Sequence, residues 1–288
     1  MNENKLPTFE ELSRPLTIFS YKWFKWGLVR FFLNTVGRLS NGIRIGFRYG
    51  FDSGTMLDYV YENNPQGLFF VGKLIDKNYL NGPGWTGIRQ RKAHLKTILR
   101  EVIENNHKIN KATVIMDVAS GPGRYLIEIK QEYYRFDLQI ICRDMDEEGL
   151  DLGRKLCRQI SVSGIKYEKA DAVSPEALKS ASPKPNVIVV SGLYELFTND
   201  EIIKKTMNNI AGVLNPGDYF IFTNQPYHPQ LELIARTLPN RLKEFWVMRL
   251  RPDNEVKSWA AACGFKHIKT LLDGYGIFSV HLFQKQAA

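Results

Sequence analysis

A short run near the middle of this chain limits what it can fold into more than any other. Residues 112–128 read ATVIMDVASGPGRYLIE. The apolar run Val114 to Met116 ends at an acid, Asp117; the small-residue turn Ala119-Ser120-Gly121-Pro122-Gly123 follows, and the sequence favours a helix from Arg124 onward. That order predicts the strand, tight turn and helix of a nucleotide-binding βα unit. Gly121 and Gly123 let the backbone come close to a ligand, and the N–H groups that open the helix favour an anionic group. Asp117, at the strand end, can accept a hydrogen bond from a cationic or hydroxylated ligand. A dinucleotide loop carries a third glycine for close packing over a pyrophosphate. Leu126 stands at that position, which argues against NAD.

The chain downstream repeats the strand-then-acid pattern. Leu138 to Arg143 is a second apolar run and ends in Asp144-Met145-Asp146. An acid at the end of the second strand can take hydrogen bonds from both ribose hydroxyls. Asp144 fits that role, whereas Asp146 is expected to cap the next helix. Ile165 to Ala170 reads as a third strand ending in Asp171-Ala172, with an ordinary turn aspartate as the alternative. Asn186 to Val190, NVIVV, suits a parallel strand buried on both faces, and it opens into Ser191-Gly192-Leu193-Tyr194-Glu195-Leu196. A helix from Asn199 is stopped by Asn215-Pro216-Gly217, which places Asp218 at an exposed turn. After the next strand comes Asn224-Gln225-Pro226-Tyr227-His228-Pro229. Alternation on both sides of residues 273–276 predicts a terminal hairpin of Phe265 to Leu272 and Ile277 to Lys285.

Taken together, the DVASGPG loop, the ordered acids, the LNPGD turn and the Gly264-Phe265 step before the last hairpin resemble the class I S-adenosylmethionine-dependent methyltransferases. Ala119 stands in for the first glycine of their acidic-x-Gly-x-Gly-x-Gly motif. The resemblance runs from Lys111 to the C-terminus. Upstream, NYLNGPGWTGIRQRK looks like a little-characterised bacterial group of methyltransferases, some fused to an α/β-hydrolase domain. The resemblance implies a Rossmann-like α/β sheet of seven strands, the last antiparallel, with an N-terminal helical cap. The implied division is 1–93 for the cap and substrate-side segment and 94–288 for the methyltransferase domain.

S-adenosyl-L-methionine is the implied cofactor. Asp117, Ala119, Gly121, Gly123 and Asp144 would hold it, with Met145 packing on the adenine. Asp171 would reach the adenine amino group, the backbone of Ala172 would contact the ring, and Ser191 would lie under the reacting methyl group. Tyr79 and Arg89, just ahead of the first strand, are candidates for the carboxylate of the methionine part, since guanidinium suits bidentate carboxylate recognition. Arg91 and Lys92 read instead as a solvated basic loop. Tyr194, and Tyr227 or His228 on the loop after the fifth strand, are the candidate proton acceptors, with ordinary loop residues as the alternative for the last two. No metal is expected, because the sulfonium already activates the methyl group.

Composition narrows the partner. The net charge is +9, which favours anionic surfaces such as nucleic acid or acidic lipid headgroups. No zinc-finger spacing or aromatic RNA-binding signature accompanies it, so RNA rests on charge alone. Three widely spaced cysteines suit reduced thiols in the cytoplasm, and the polar N-terminus does not resemble a secretory leader. The segment Leu16 to Leu39 interleaves aromatics with Lys22, Lys25, Arg30 and Arg38. It reads either as a cap packing Trp23, Phe24, Phe31 and Phe32 against the main domain, or as a peripheral contact with an anionic inner-membrane surface. The second reading favours a hydrophobic or lipid acceptor, such as a phospholipid headgroup or precursor. A soluble small molecule, RNA, or a scaffold that kept the fold without turnover are the alternatives.

Overall fold

The computed structural model describes residues 6–287. The chain divides into two compact units: residues 1–89 with 228–250, and residues 90–227 with 251–288. In the first lie α1 (Phe9–Ser13), α2 (Tyr21–Asn34), a 3-10 turn (Val36–Leu39), α3 (Asn41–Tyr49), α4 (Gly54–Glu62) and α5 (Phe69–Leu80). Helix α6 (Pro83–Lys108) runs across the boundary. The second unit continues with β1 (Thr113–Asp117), α7 (Arg124–Glu132), β2 (Leu138–Asp144), α8 (Glu147–Gln159), β3 (Ile165–Lys169), α9 (Pro175–Lys179), β4 (Val187–Val190), α10 (Asp200–Ala211) and β5 (Tyr219–Asn224). Helix α11 (Leu231–Thr237) returns to the first unit, and α12 (Asp253–Ala262), β6 (Phe265–Leu272) and β7 (Ser279–Lys285) complete the second.

The second unit is built on a seven-stranded sheet in the order β3-β2-β1-β4-β5-β7-β6. Its first five strands pair in parallel, and β7 runs antiparallel between β5 and β6. This is the expected Rossmann-like sheet with an antiparallel last strand. β1 and β4 are buried along their whole length, as their unbroken apolar runs require when helices cover both faces. One face packs α10 and α12 through Ile203, Met207, Ile210, Val256 and Ala260. The other packs α6 and α7 through Leu95, Ile98, Leu99, Val102, Leu126 and Ile129. Strand order reverses between β1 and β4, and sheets of this kind bind ligands at the carboxyl ends of the strands where that happens.

Two sequence expectations fail here. The basic stretch after Gly82-Pro83-Gly84 is no loop. Pro83 opens the 26-residue α6, a position where its missing N–H is no loss, so the stretch forms the helix's first turns. Asp218 is 2% exposed rather than at an open turn. It accepts from Lys111 Nζ at 2.7 Å and from the Asn215 N–H at 2.8 Å, locking the turn into β5 against the chain leading to β1.

The first unit has its own core of Leu12, Phe51, Leu231, Ile234, Ala235, Leu238 and Met248. Residues 228–250, which the sequence leaves with the C-terminal domain, thus pack with the N-terminal helices. Its polar centre is Asp76, fully buried, which accepts from Ser40 Oγ (2.5 Å), Gly42 N (2.7 Å), Gln66 N (2.8 Å) and the Tyr59 hydroxyl. One carboxylate therefore ties together three chain segments. Among the described residues no helix is long and apolar enough to cross a membrane.

Candidate active site

Asp117 ends β1 fully buried and accepts from the Tyr125 hydroxyl and from Ala119 N at 3.1 Å. Burial pushes its carboxyl up to about 7; the Asp144 charge adds to that, while the Tyr125 and Ala119 hydrogen bonds and Arg91 oppose it. The loop beyond it is drawn toward β2: Ser120 N donates to Arg143 O at 2.9 Å, and Gly121 N to Asp144 Oδ2 at 2.8 Å. Gly121 (φ +52°) and Gly123 (φ +67°) both need the left-handed region, which a side chain disfavours. They differ in surroundings. A Cβ on Gly123 would meet Cys142 Sγ at 2.9 Å, whereas one on Gly121 would meet nothing within 4 Å, so open space lies over Gly121.

Asp144 also accepts from Asp146 N at 2.9 Å, and Asp146 caps α8 through Glu148 N as expected. Met145 is exposed, free to cover a flat ring. Asp171 and Ala172 line a small crevice with Val118, Arg143 and Leu178 beyond the end of β3, and the Asp171 carboxylate accepts from Val173 N at 3.0 Å. Ser191 follows β4 directly. Asp117, Ala119, Gly121, Asp144 and Ser191 thus gather at the carboxyl edge of the sheet, around the reversal between β1 and β4. Open space above Gly121, an acid at each of two strand ends and an exposed Met145 fit a nucleoside-bearing cofactor laid across this edge.

The remaining candidates have surroundings of their own. Tyr79 belongs to the first unit, where its ring packs edge-on against Trp85 (5.6 Å between centroids) and beside Phe51. Arg89 is there too, donating to Leu80 O at 2.9 Å and Thr86 Oγ1 at 3.2 Å, bonds that close the start of α6. The Tyr194 ring sits in the core against Phe222, and burial raises its hydroxyl far above the usual phenol range, so it stays protonated. Tyr227 is 40% exposed. His228 is buried in the first unit; its Nδ1 accepts from Gln230 N at 3.1 Å, and burial holds it down at about 4. The imidazole is therefore neutral near pH 7 with its acceptor nitrogen occupied.

Arg91 reverses the expectation of a solvated side chain. It is 3% exposed, stacks 4.9 Å over Phe278, and pairs with Glu195 at 3.5 Å. Helical spacing explains the burial: Arg91 lies one turn before Leu95 and on its face of α6. Glu195 Oε1 also accepts from Thr223 Oγ1 at 2.7 Å, and that hydroxyl accepts from Gly192 N at 2.9 Å. Arg251 holds the segment after β4 from behind, donating to Tyr194 O at 3.2 Å and Phe197 O at 2.6 Å and pairing with Asp200 at 2.7 Å. No spacing rule links these residues, because three strand ends and a helix bring them together. Among the described residues no cluster of His, Cys, Asp and Glu could hold a metal ion.

Sheet order and edge geometry define a Rossmann-like α/β protein with a glycine turn beside its strand reversal. Residues 3–285 match the family described as "Putative methyltransferase", and the chain belongs to that family. It is 40% identical over 249 residues to a protein of Escherichia coli K12 named "Uncharacterized protein YnbC", a match that covers 85% of this chain and 42% of that protein. The chain therefore spans less than half the length of that relative. Among solved structures, a Bordetella parapertussis protein described as a possible exported protein superposes with a TM-score of 0.64 at 16% identity, over 82% of this chain and 80% of the other. Magnesium protoporphyrin IX methyltransferase from Synechocystis PCC 6803, solved with bound S-adenosylhomocysteine, superposes with a TM-score of 0.56 at 10% identity, over 91% and 99%. At such identities these two structures speak for the fold.

Proposed function

We propose that this protein methylates a hydrophobic or lipid-type acceptor at an anionic membrane surface. S-adenosylmethionine supplies a methyl group already made electrophilic by the sulfonium charge. The chain's task is to hold donor and acceptor in line and keep water out, and positioning alone lowers such a barrier by about 7 to 11 kcal/mol. Asp117, Ala119, Gly121, Gly123, Asp144, Met145, Asp171 and Ala172 would hold the cofactor, with Ser191 beneath its methyl group.

One observation carries the lipid reading: the apolar surface of the first unit. Phe24, Leu28, Phe31 and Phe32 recur at helical spacing along α2, yet all four are more than half exposed. Phe69 and Phe70 at the head of α5 are 84% and 81% exposed. They are fixed in place, since Leu68 N donates to Leu39 O at 2.8 Å and a Cβ on Gly72 would come within 2.4 Å of the same oxygen. Phe69 holds φ +57°, a conformation that costs a non-glycine residue about 1–3 kcal/mol. Exposed aromatics displayed at such a cost, on a unit with 15 Lys and Arg against 9 Asp and Glu, suit the interface of an anionic bilayer.

Cosedimentation of the full chain with phosphatidylglycerol vesicles tests the surface, and transfer of labelled methyl groups into a bacterial lipid extract tests the acceptor. Binding to anionic but not phosphatidylcholine vesicles, with label entering the lipid phase, is expected. Label entering only the water-soluble fraction would leave a soluble acceptor in place of a lipid.

A further inference from the structure

The cluster around Glu195 holds unmet hydrogen-bonding capacity where a cofactor's methyl group would be presented. Glu195 is 8% and Gln225 3% exposed. Among the described residues, Glu195 Oε2 and Gln225 Nε2 are buried without a hydrogen-bond partner. Burying such atoms unpaired costs about 1–3 kcal/mol each, so a native protein that keeps them has a reason. The two belong to one neighbourhood. Thr223, whose hydroxyl donates to Glu195 Oε1, is two residues before Gln225, and Arg251 bridges the two segments, its N–H donating to Gln225 O at 3.3 Å and its guanidinium to Tyr194 O, next to Glu195, at 3.2 Å. Glu195 follows β4 and Gln225 follows β5, so the cluster lies at the carboxyl edge next to the reversal point, in the same unit as Asp117 and Ser191.

We propose that Glu195 and Gln225 form the subsite for the methyl acceptor, that the acceptor presents a hydroxyl group, and that Glu195 is the base that takes its proton. The inference rests on the methyltransferase reading but not on the acceptor being a lipid. Glu195 offers a hydrogen-bond acceptor and Gln225 a donor; a hydroxyl satisfies both at once, because it donates one bond and accepts others. An ammonium group only donates, would leave the Gln225 N–H stranded, and has no lone pair for the methyl group until it has first lost a proton, a step that a hydroxyl does not need. Arg91 already balances the Glu195 charge, so the subsite holds no net negative charge to draw a cation. In the step, the hydroxyl oxygen forms its bond to the methyl carbon while the carbon–sulfur bond breaks and its electron pair stays on sulfur. The hydroxyl proton passes to Glu195 Oε2. Sulfonium and carboxylate become neutral thioether and neutral acid, so the buried site ends the step with less charge separation than it began with.

The test uses the full chain saturated with S-adenosylhomocysteine and three soluble probes of similar size: phenol, anisole and benzylamine. Phenol should bind at least fivefold more tightly than the other two. Glu195→Gln and Gln225→Leu should each erase that preference while S-adenosylhomocysteine affinity stays as in the wild type, which also shows that the variants fold. Equal binding of phenol and anisole, a preference for benzylamine, no binding of any probe, or a phenol preference surviving both substitutions would each overturn the assignment. Failure of the wild type to bind S-adenosylhomocysteine is a separate result that removes the methyltransferase reading, and the subsite with it.

Discussion

In the proposed cofactor site, Asp117 combines two demands that conflict. A buried carboxylate resists ionisation, yet a cofactor carrying a sulfonium and an ammonium group is best met by an anion. Because burial raises its folded-state value from 3.8 to about 7, the contribution of neutral Asp117 to stability is complete below about pH 4 and is lost as pH rises through 7. Cofactor binding should run the opposite way. Between pH 6 and pH 8 the ionised fraction climbs by about tenfold, so S-adenosylmethionine affinity measured by calorimetry should rise by up to that factor. S-adenosylhomocysteine, lacking the sulfonium, should gain less, and Asp117→Asn should flatten both profiles; a steep rise surviving in that variant would assign the titration to another group. Asp144 and Gly121 act by geometry. Asp144→Ala removes the proposed ribose acceptor and the anchor of the Gly121 N–H, and hydrogen bonds to a charged group are worth about 1.5–3 kcal/mol, so affinity should fall by at least about tenfold. Gly121→Val should do the same by straining φ +52° and filling the space above the loop. Wild-type affinity in both would displace the cofactor from this edge.

At the level of elements, what the sequence makes legible is what repeats locally. The strand at Thr113–Asp117, its glycine turn and α7 are readable because their signals sit within one short window, and the terminal hairpin because alternation survives on both sides of its turn. Asp146 as a helix cap was equally local. Arg91, Asp218 and the 228–250 segment are not readable, because burial there depends on partners far along the chain: Arg91 meets Glu195 and Asp218 meets Lys111, each across more than a hundred residues. The same holds for Asp76, which gives nothing away in its helix yet joins Ser40, Gly42, Tyr59 and Gln66. Replacing it by Ala would strand two backbone N–H groups and two hydroxyls in a buried space. At about 1–3 kcal/mol for each group left unpaired, Asp76→Ala should lower the stability of the first unit by at least about 3 kcal/mol. Limited proteolysis should then show cutting within residues 40–76, and resistance equal to the wild type would mean the carboxylate is not the tie it resembles.

For the whole molecule, charge and apolar exposure coincide in one unit. Residues 1–89 with 228–250 hold 15 cationic against 9 acidic side chains, while the other unit holds 24 against 21. The exposed aromatics of α2 and α5 lie on the first. Attraction to an anionic bilayer would therefore have a screened and an unscreened part. Each Lys or Arg near the surface contributes about 1 kcal/mol and loses most of it once the Debye length shrinks from about 8 Å at physiological salt to about 3 Å at 1 M. Burying a phenylalanine contributes about 1.5–3 kcal/mol and does not weaken with salt in that way. Vesicle binding of the wild type should accordingly fall steeply between 0.05 and about 0.5 M salt and then level off above zero. The double variant Phe69→Ser, Phe70→Ser should keep the steep part and lose the plateau, with affinity down by about a hundredfold. If the variant instead tracks the wild type at every salt concentration, the two phenylalanines do not enter the bilayer, and their exposure with the strain at Phe69 must serve a protein partner.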